Sequence, residues 1–127
     1  MSSQKTIMLV DDDEIFVDAT KIGLESKYNV ETAKDGKECI EKVGTVKHDL
    51  IVLDIMMRHL GEGLDTSTQL KTDNATKDIP IIMLTGVSEV YDISTQVDKS
   101  QLKYDAWFEK PVDNDKLISE IEKLLAR

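Results

Sequence analysis

The chain has 127 residues, enough for one compact domain with a single real core. Its 40% hydrophobic and 32% charged residues describe a folded globular protein, and its one cysteine, Cys39, excludes an internal disulfide. The formal net charge is −9 and no segment is dense in Lys or Arg, so direct nucleic-acid binding is not expected. No apolar run approaches the ~20 residues of a membrane span, and MSSQKTIMLV lacks a signal-peptide layout. A cytoplasmic location is therefore expected.

In chain order, Thr6 to Val10 is a continuous apolar run, as for a strand covered on both faces, and it stops at Asp11, Asp12 and Asp13. A helix is expected from about Glu14, with Ile15, Ala19 and Ile22 on its apolar stripe, Phe16 beside them and Asp13 as its cap. Asn29 to Ala33 reads as a weaker strand, and Asp35-Gly36 turns into a short helix carrying Cys39, Ile40 and Val43. Cys39 lies on that helix's apolar stripe and reads as core. Leu50 to Leu53 is a third strand ending on Asp54, followed by a loop with Gly61 and Gly63 and a helix around Leu64 to Leu70.

Ile81 to Leu84 is a fourth strand ending at Thr85-Gly86. From Val87 to Tyr104 the spacing of Val90, Ile93 and Val97 suits a helix, but Ser, Thr and Asp lower its propensity. Trp107 to Glu109 is a short fifth strand ending at Lys110-Pro111. Asp113 should cap the last helix, whose stripe is Leu117, Ile118, Ile121, Leu124 and Leu125. Alternating strands and helices without an internal repeat or linker predict one α/β domain over 1–127, a doubly wound parallel sheet with helices on both faces. His48 and His59 have no ligand-like neighbours at useful spacing and receive no role.

Such sheets bind ligands beyond the carboxyl ends of their strands. Here those ends carry Asp11, Asp12, Asp54, Thr85 and Lys110. Taken singly, each has an ordinary explanation as a turn residue, a cap or a surface charge. Taken together they form a polar cluster at four strand ends. Converging carboxylates repel one another, and a hard divalent cation, Mg²⁺, is the natural compensation. Lys110 can pair with an anionic oxygen and the Thr85 hydroxyl can donate to one. These are the parts of a phosphoryl-transfer site with a carboxylate nucleophile.

The ordered set IMLVDDDE, DLIVLDIMM, IPIIMLTG and WFEKPV resembles the receiver domains of two-component response regulators over nearly the whole chain. The resemblance implies a flavodoxin-like strand order 2-1-3-4-5. It also implies that Asp54 accepts a phosphoryl group from a histidine kinase or a histidine phosphotransfer protein. Asp12 would be a direct Mg²⁺ ligand, Asp11 would act largely through water, and the Met56 carbonyl would complete the metal site. Thr85 and Lys110 would contact the phosphoryl group, Trp107 would occupy the aromatic switch position, and Lys110-Pro111 would be a cis bond. Phosphorylation would shift the face formed by the segment after Thr85, the fifth strand and the last helix, and so control a protein partner. The role implied is regulatory rather than enzymatic.

Three departures stand out. Arg58 replaces a common proline and Gly63 falls one residue late. The stretch from Thr85 to Lys110 is longer than usual and lacks the common Gly-Ala. Trp107 replaces Tyr or Phe. The two positions that flank an attacking water in this family hold the apolar Met56 and Val87, which implies slow autodephosphorylation. Two alternatives remain at this level. One is a small phosphohydrolase of the haloacid dehalogenase type, with Asp11 as nucleophile and Asp13 as acid/base. The other is an interaction module independent of phosphorylation. Because the last helix runs to Arg127 without a linker, a stand-alone regulator is the expectation.

Overall fold

A computed structural model describes residues 4–55, 62–86, 104–110 and 112–127. The described strands are β1 (Thr6–Val10), β2 (Asn29–Ala33), β3 (Leu50–Asp54), β4 (Ile81–Thr85) and β5 (Ala106–Glu109). The described helices are α1 (Glu14–Glu25), α2 (Gly36–Val43), α3 (Glu62–Thr72) and α4 (Asn114–Leu125). The strands form one sheet in the order β2-β1-β3-β4-β5, every neighbouring pair parallel. The expected architecture is therefore observed.

Strand period decides which side chain goes to which face. Met8, Val10, Ile51, Leu53, Ile81 and Met83 join Cys39 and Leu70 in one core beneath α2 and α3. Ile7, Leu9, Leu50, Val52, Ile82 and Leu84 join Leu24, Leu117, Ile121 and Leu124 in the other, beneath α1 and α4. All residues of β3 and β4 are buried, so their sequences carry no polar alternation. The edge strands β2 and β5 are only partly covered.

Capping explains where three helices begin. Asp13 Oδ1 accepts from the Ile15 and Phe16 amides, at 3.1 and 3.2 Å, and starts α1. Asp35 accepts from Glu38 N at 2.8 Å, and Asp113 accepts from Asp115 N at 2.8 Å. α3 differs from expectation. It starts at Glu62, taking in Gly63, which the sequence places in a loop.

The predicted stripe of α1 is a clear correction. Ile15 is 84% exposed and Ile22 74%, and Ala19 is exposed with them. The inward face instead carries Phe16, Val17, Thr20 and Leu24. Apolar residues occur on both sides of this helix, so periodicity alone selects no face; packing against β2 and α4 does. α4 matches its expected stripe, with Leu117, Ile121 and Leu124 buried and Ile118 and Leu125 packed against them. No described helix is long and apolar enough to cross a membrane.

Candidate phosphoacceptor site

Parallel strands in register deliver their last residues to one edge. Val10 pairs with Leu53, and Asp54 with Leu84, so Asp11, Asp54 and Thr85 all fall at the carboxyl end of the sheet. Lys110 follows β5, and its amide donates to the Thr85 carbonyl at 2.7 Å, extending the sheet by one bond.

Lys110 Nζ donates to Asp11 Oδ2 at 2.6 Å and to Asp54 Oδ2 at 3.3 Å. The two carboxylates are nearly inaccessible, with side chains 0% and 3% exposed against 22% for Lys110. Asp11 Oδ1 accepts from the Asp13 amide at 3.0 Å. Burial works against the Lys110 charge. The Asp11 hydrogen bond and the Asp54 and Asp11 charges more than offset it, and hold its pKa above the ordinary lysine value. Lys110 Nζ also lies 4.6 Å from the centre of the Phe16 ring. Thr85 is fully buried, and its hydroxyl donates to the Gly86 carbonyl at 3.2 Å.

Asp11, Asp12 and Asp54 each offer a carboxylate oxygen, and these oxygens lie within 4.8 Å of one another. One ammonium faces three carboxylates, so negative charge remains in excess. Donors on one octahedral Mg²⁺ lie about 3.0 to 4.2 Å apart, since each Mg–O distance is about 2.1 Å. The cluster is therefore slightly wider than a set of three direct ligands, in keeping with one carboxylate bonded through water. Asp11 and Asp54 are buried while Asp12 is exposed, so the cluster has one side open to solvent. A hard cation with retained waters fits it.

The structure thus brings together Asp11, Asp12, Asp54 and Lys110, with Thr85 on the adjoining strand. Met56, Val87 and Pro111 lie outside the described residues, as do Arg58, His59 and most of the stretch from Val87 to Tyr104. Trp107 is half-buried, packed against the core beneath α2 and α3, with Tyr104 edge-on at 5.5 Å and 65°. Asp13 serves as the cap of α1. His48, given no role above, is buried and bonds the Val46 carbonyl at 2.8 Å and Glu31 at 3.0 Å, tying β2 to the segment before β3.

Two close neighbours of the site escape sequence reasoning. Phe16 touches a lysine far away in the chain, which no local pattern signals. Gly63 N donates to the Ile55 carbonyl at 2.9 Å, and a Cβ there would meet Asp54 O at 2.4 Å and Ile55 Cα at 2.5 Å. The late glycine is where α3 presses onto the backbone of the candidate phosphoacceptor, and a side chain has no room.

Residues 7–122 match the response regulator receiver domain family, and the chain belongs to it. The chain is 36% identical over 124 residues to the alkaline phosphatase synthesis transcriptional regulatory protein PhoP of Bacillus subtilis, covering 97% of this chain and 49% of that protein. It is 31% identical over 122 residues to the DNA-binding dual master transcriptional regulator RpaA of Synechocystis, covering 95% of this chain and 49% of RpaA. The chain thus spans about half the length of these relatives. Among solved structures, the receiver domain of the Francisella response regulator 1452 superposes with a TM-score of 0.81 at 26% identity, covering 98% of each chain.

Proposed function

We propose that Asp54 is the phosphoacceptor of this receiver domain, loaded by a phosphohistidine on a histidine kinase or phosphotransfer protein. The observation that carries the reading is the Lys110 ammonium spanning the buried Asp11 and Asp54 carboxylates at the sheet edge. An Asp54 oxygen attacks phosphorus, the P–N bond breaks, and the donor imidazole leaves with the electron pair and takes up a proton. Lys110 exchanges part of its contact with Asp54 for a phosphoryl oxygen. Mg²⁺ would be held by Asp12, Asp54 and the Met56 carbonyl, with Asp11 acting largely through water, and would supply charge compensation for the carboxylates and the phosphoryl group.

Thr85 turns its hydroxyl from the Gly86 carbonyl to the new aspartyl phosphate, drawing the following segment with it. Trp107 responds as the aromatic switch on the output face, and a protein partner reads that face. The protein is regulatory: it assists its own phosphotransfer and hydrolyses the product slowly. The cytoplasm is the proposed location, in keeping with a free buried Cys39.

The dehalogenase-type alternative loses support, since Asp13, its acid/base, is engaged as a helix cap and Asp54 would have no task. Acetyl phosphate with Mg²⁺ should add one phosphoryl group, read by intact mass. Asp54→Asn or chelation of the metal should abolish the adduct. An adduct that survives in Asp54→Asn, or modification that needs Asp11 alone, would overturn the assignment.

A further inference from the structure

We propose that Phe16 is a positioning residue for phosphotransfer, its ring face holding the Lys110 ammonium beside Asp11 and Asp54 through a cation–π contact. The inference rests on the reading of Asp54 as phosphoacceptor and adds a group that the acidic, Thr and Lys set does not contain. A lysine ammonium is a point charge on a flexible four-carbon stem, so its neighbours must fix its place. Two of those neighbours are carboxylates, at 2.6 and 3.3 Å, and both pull the ammonium toward themselves. The third is the Phe16 ring, 4.6 Å from Nζ, inside the ~6 Å range over which a ring quadrupole attracts a cation.

The three contacts differ in what they do when a phosphoryl group arrives. The shorter ion pair, to Asp11, must loosen for Lys110 to reach a phosphoryl oxygen. The ring neither titrates nor binds metal, and its attraction is soft enough to persist as the ammonium shifts. Lys110 is only 22% exposed on its side chain, and partial desolvation strengthens a cation–π contact. Phe16 is itself anchored, because it packs against the same core as Phe108 and Val112, which flank Lys110 in sequence. α1 and the segment after β5 are thereby fixed relative to each other at the site.

Phe16→Leu removes the quadrupole but keeps an apolar side chain, whereas Phe16→Tyr keeps the ring face. The test uses the full chain with acetyl phosphate and Mg²⁺ as probe, Asp54→Asn as control, and NMR of the Lys110 side-chain methylenes without any phosphodonor. Phe16→Leu should slow phosphorylation about five-fold, the factor equivalent to roughly 1 kcal/mol of cation–π attraction. Phe16→Tyr should stay within about two-fold of wild type on the same basis. The ring-current shift of the Lys110 methylenes should vanish in the leucine variant and persist in the tyrosine variant.

Equal rates in wild type and Phe16→Leu would overturn the inference, as would equal slowing by both variants, which marks packing alone. Absence of a ring-current shift in wild type would also overturn it. Failure of wild type to form any Asp54-dependent adduct would instead strike the proposed function, and the NMR shift separates the two.

Discussion

Lys110 shows how much one residue's meaning depends on its neighbours. A lysine after a short strand is ordinarily a solvated charge; here two buried carboxylates and a ring surround it. A buried ion pair is weak evidence for stability, because desolvation consumes most of the Coulomb attraction. Its persistence at the sheet edge points to chemistry. By resemblance to the family, the apolar Met56 and Val87 occupy the positions beside the path of an attacking water, so we predict a long-lived aspartyl phosphate on the proposed acceptor, Asp54. Replacing both with polar side chains, Met56→Asn and Val87→Gln, should speed phosphate release about ten-fold, as an amide that orients the attacking water and so stabilises the transition state by roughly 1.4 kcal/mol would do. Phosphate-release kinetics after removal of acetyl phosphate check this. An unchanged rate in the double variant would show that water is controlled elsewhere.

At the scale of elements, α1 and α3 present opposite surprises. α3 approaches the backbone after β3 so closely that Gly63→Ala forces a methyl group to within 2.6 Å of three backbone atoms of Asp54 and Ile55. Backbone cannot rotate away as a side chain can, so the variant should lose about 2 kcal/mol, within the overpacking range. A lower urea midpoint at unchanged m-value would confirm it. α1 instead leaves Ile15, Ala19 and Ile22 in solvent. Ile15→Ser with Ile22→Gln should change stability by less than about 1 kcal/mol, as exposed substitutions do. Urea melts check this, and a larger loss would show that the stripe is packed in the folded protein.

Over the whole molecule, the end of the sheet opposite the acidic cluster is tied by Asp105. Its carboxylate accepts from Lys71 at 2.9 Å, from the Ile81 amide at 2.8 Å and from Arg127 at 2.9 Å. Burial raises its pKa, but the Lys71, Ile81 and Arg127 hydrogen bonds and the Lys71 charge outweigh that and hold it below the usual value of 3.8. The folded state thus binds this proton more weakly than the unfolded chain. The stabilisation is therefore fully present above the unfolded pKa and is lost as pH falls through the folded one. Asp105→Asn should lower stability at neutral pH and flatten its decline below about pH 4. Denaturant melts across that range read the difference, and an unchanged acid slope would remove Asp105 from the account.

The legible part of this protein lay where a local rule has one answer. A fully buried strand reads as an apolar run, and the run must stop where backbone leaves the core. Asp11, Asp54, Thr85 and Lys110 are therefore legible as strand-end residues in the sequence alone. So are Asp13 and Asp113 as caps, because a cap acts on amides two or three residues away. Periodicity does not find the inward face of α1, because apolar residues surround much of the helix and the pattern then has no unique solution. Gly63 reads as loop in the sequence because its need for space arises from backbone eight or nine residues earlier, not from its own turn.

By itself, then, the sequence determined which residues end the strands and hence which chemistry gathers at the sheet edge, since strand length and capping are short-range effects. Only the tertiary structure decided which partners Lys110 chose, which side of α1 met the sheet and how closely α3 could approach Asp54. Those outcomes depend on contacts between distant segments, and such contacts exist only once both cores have closed.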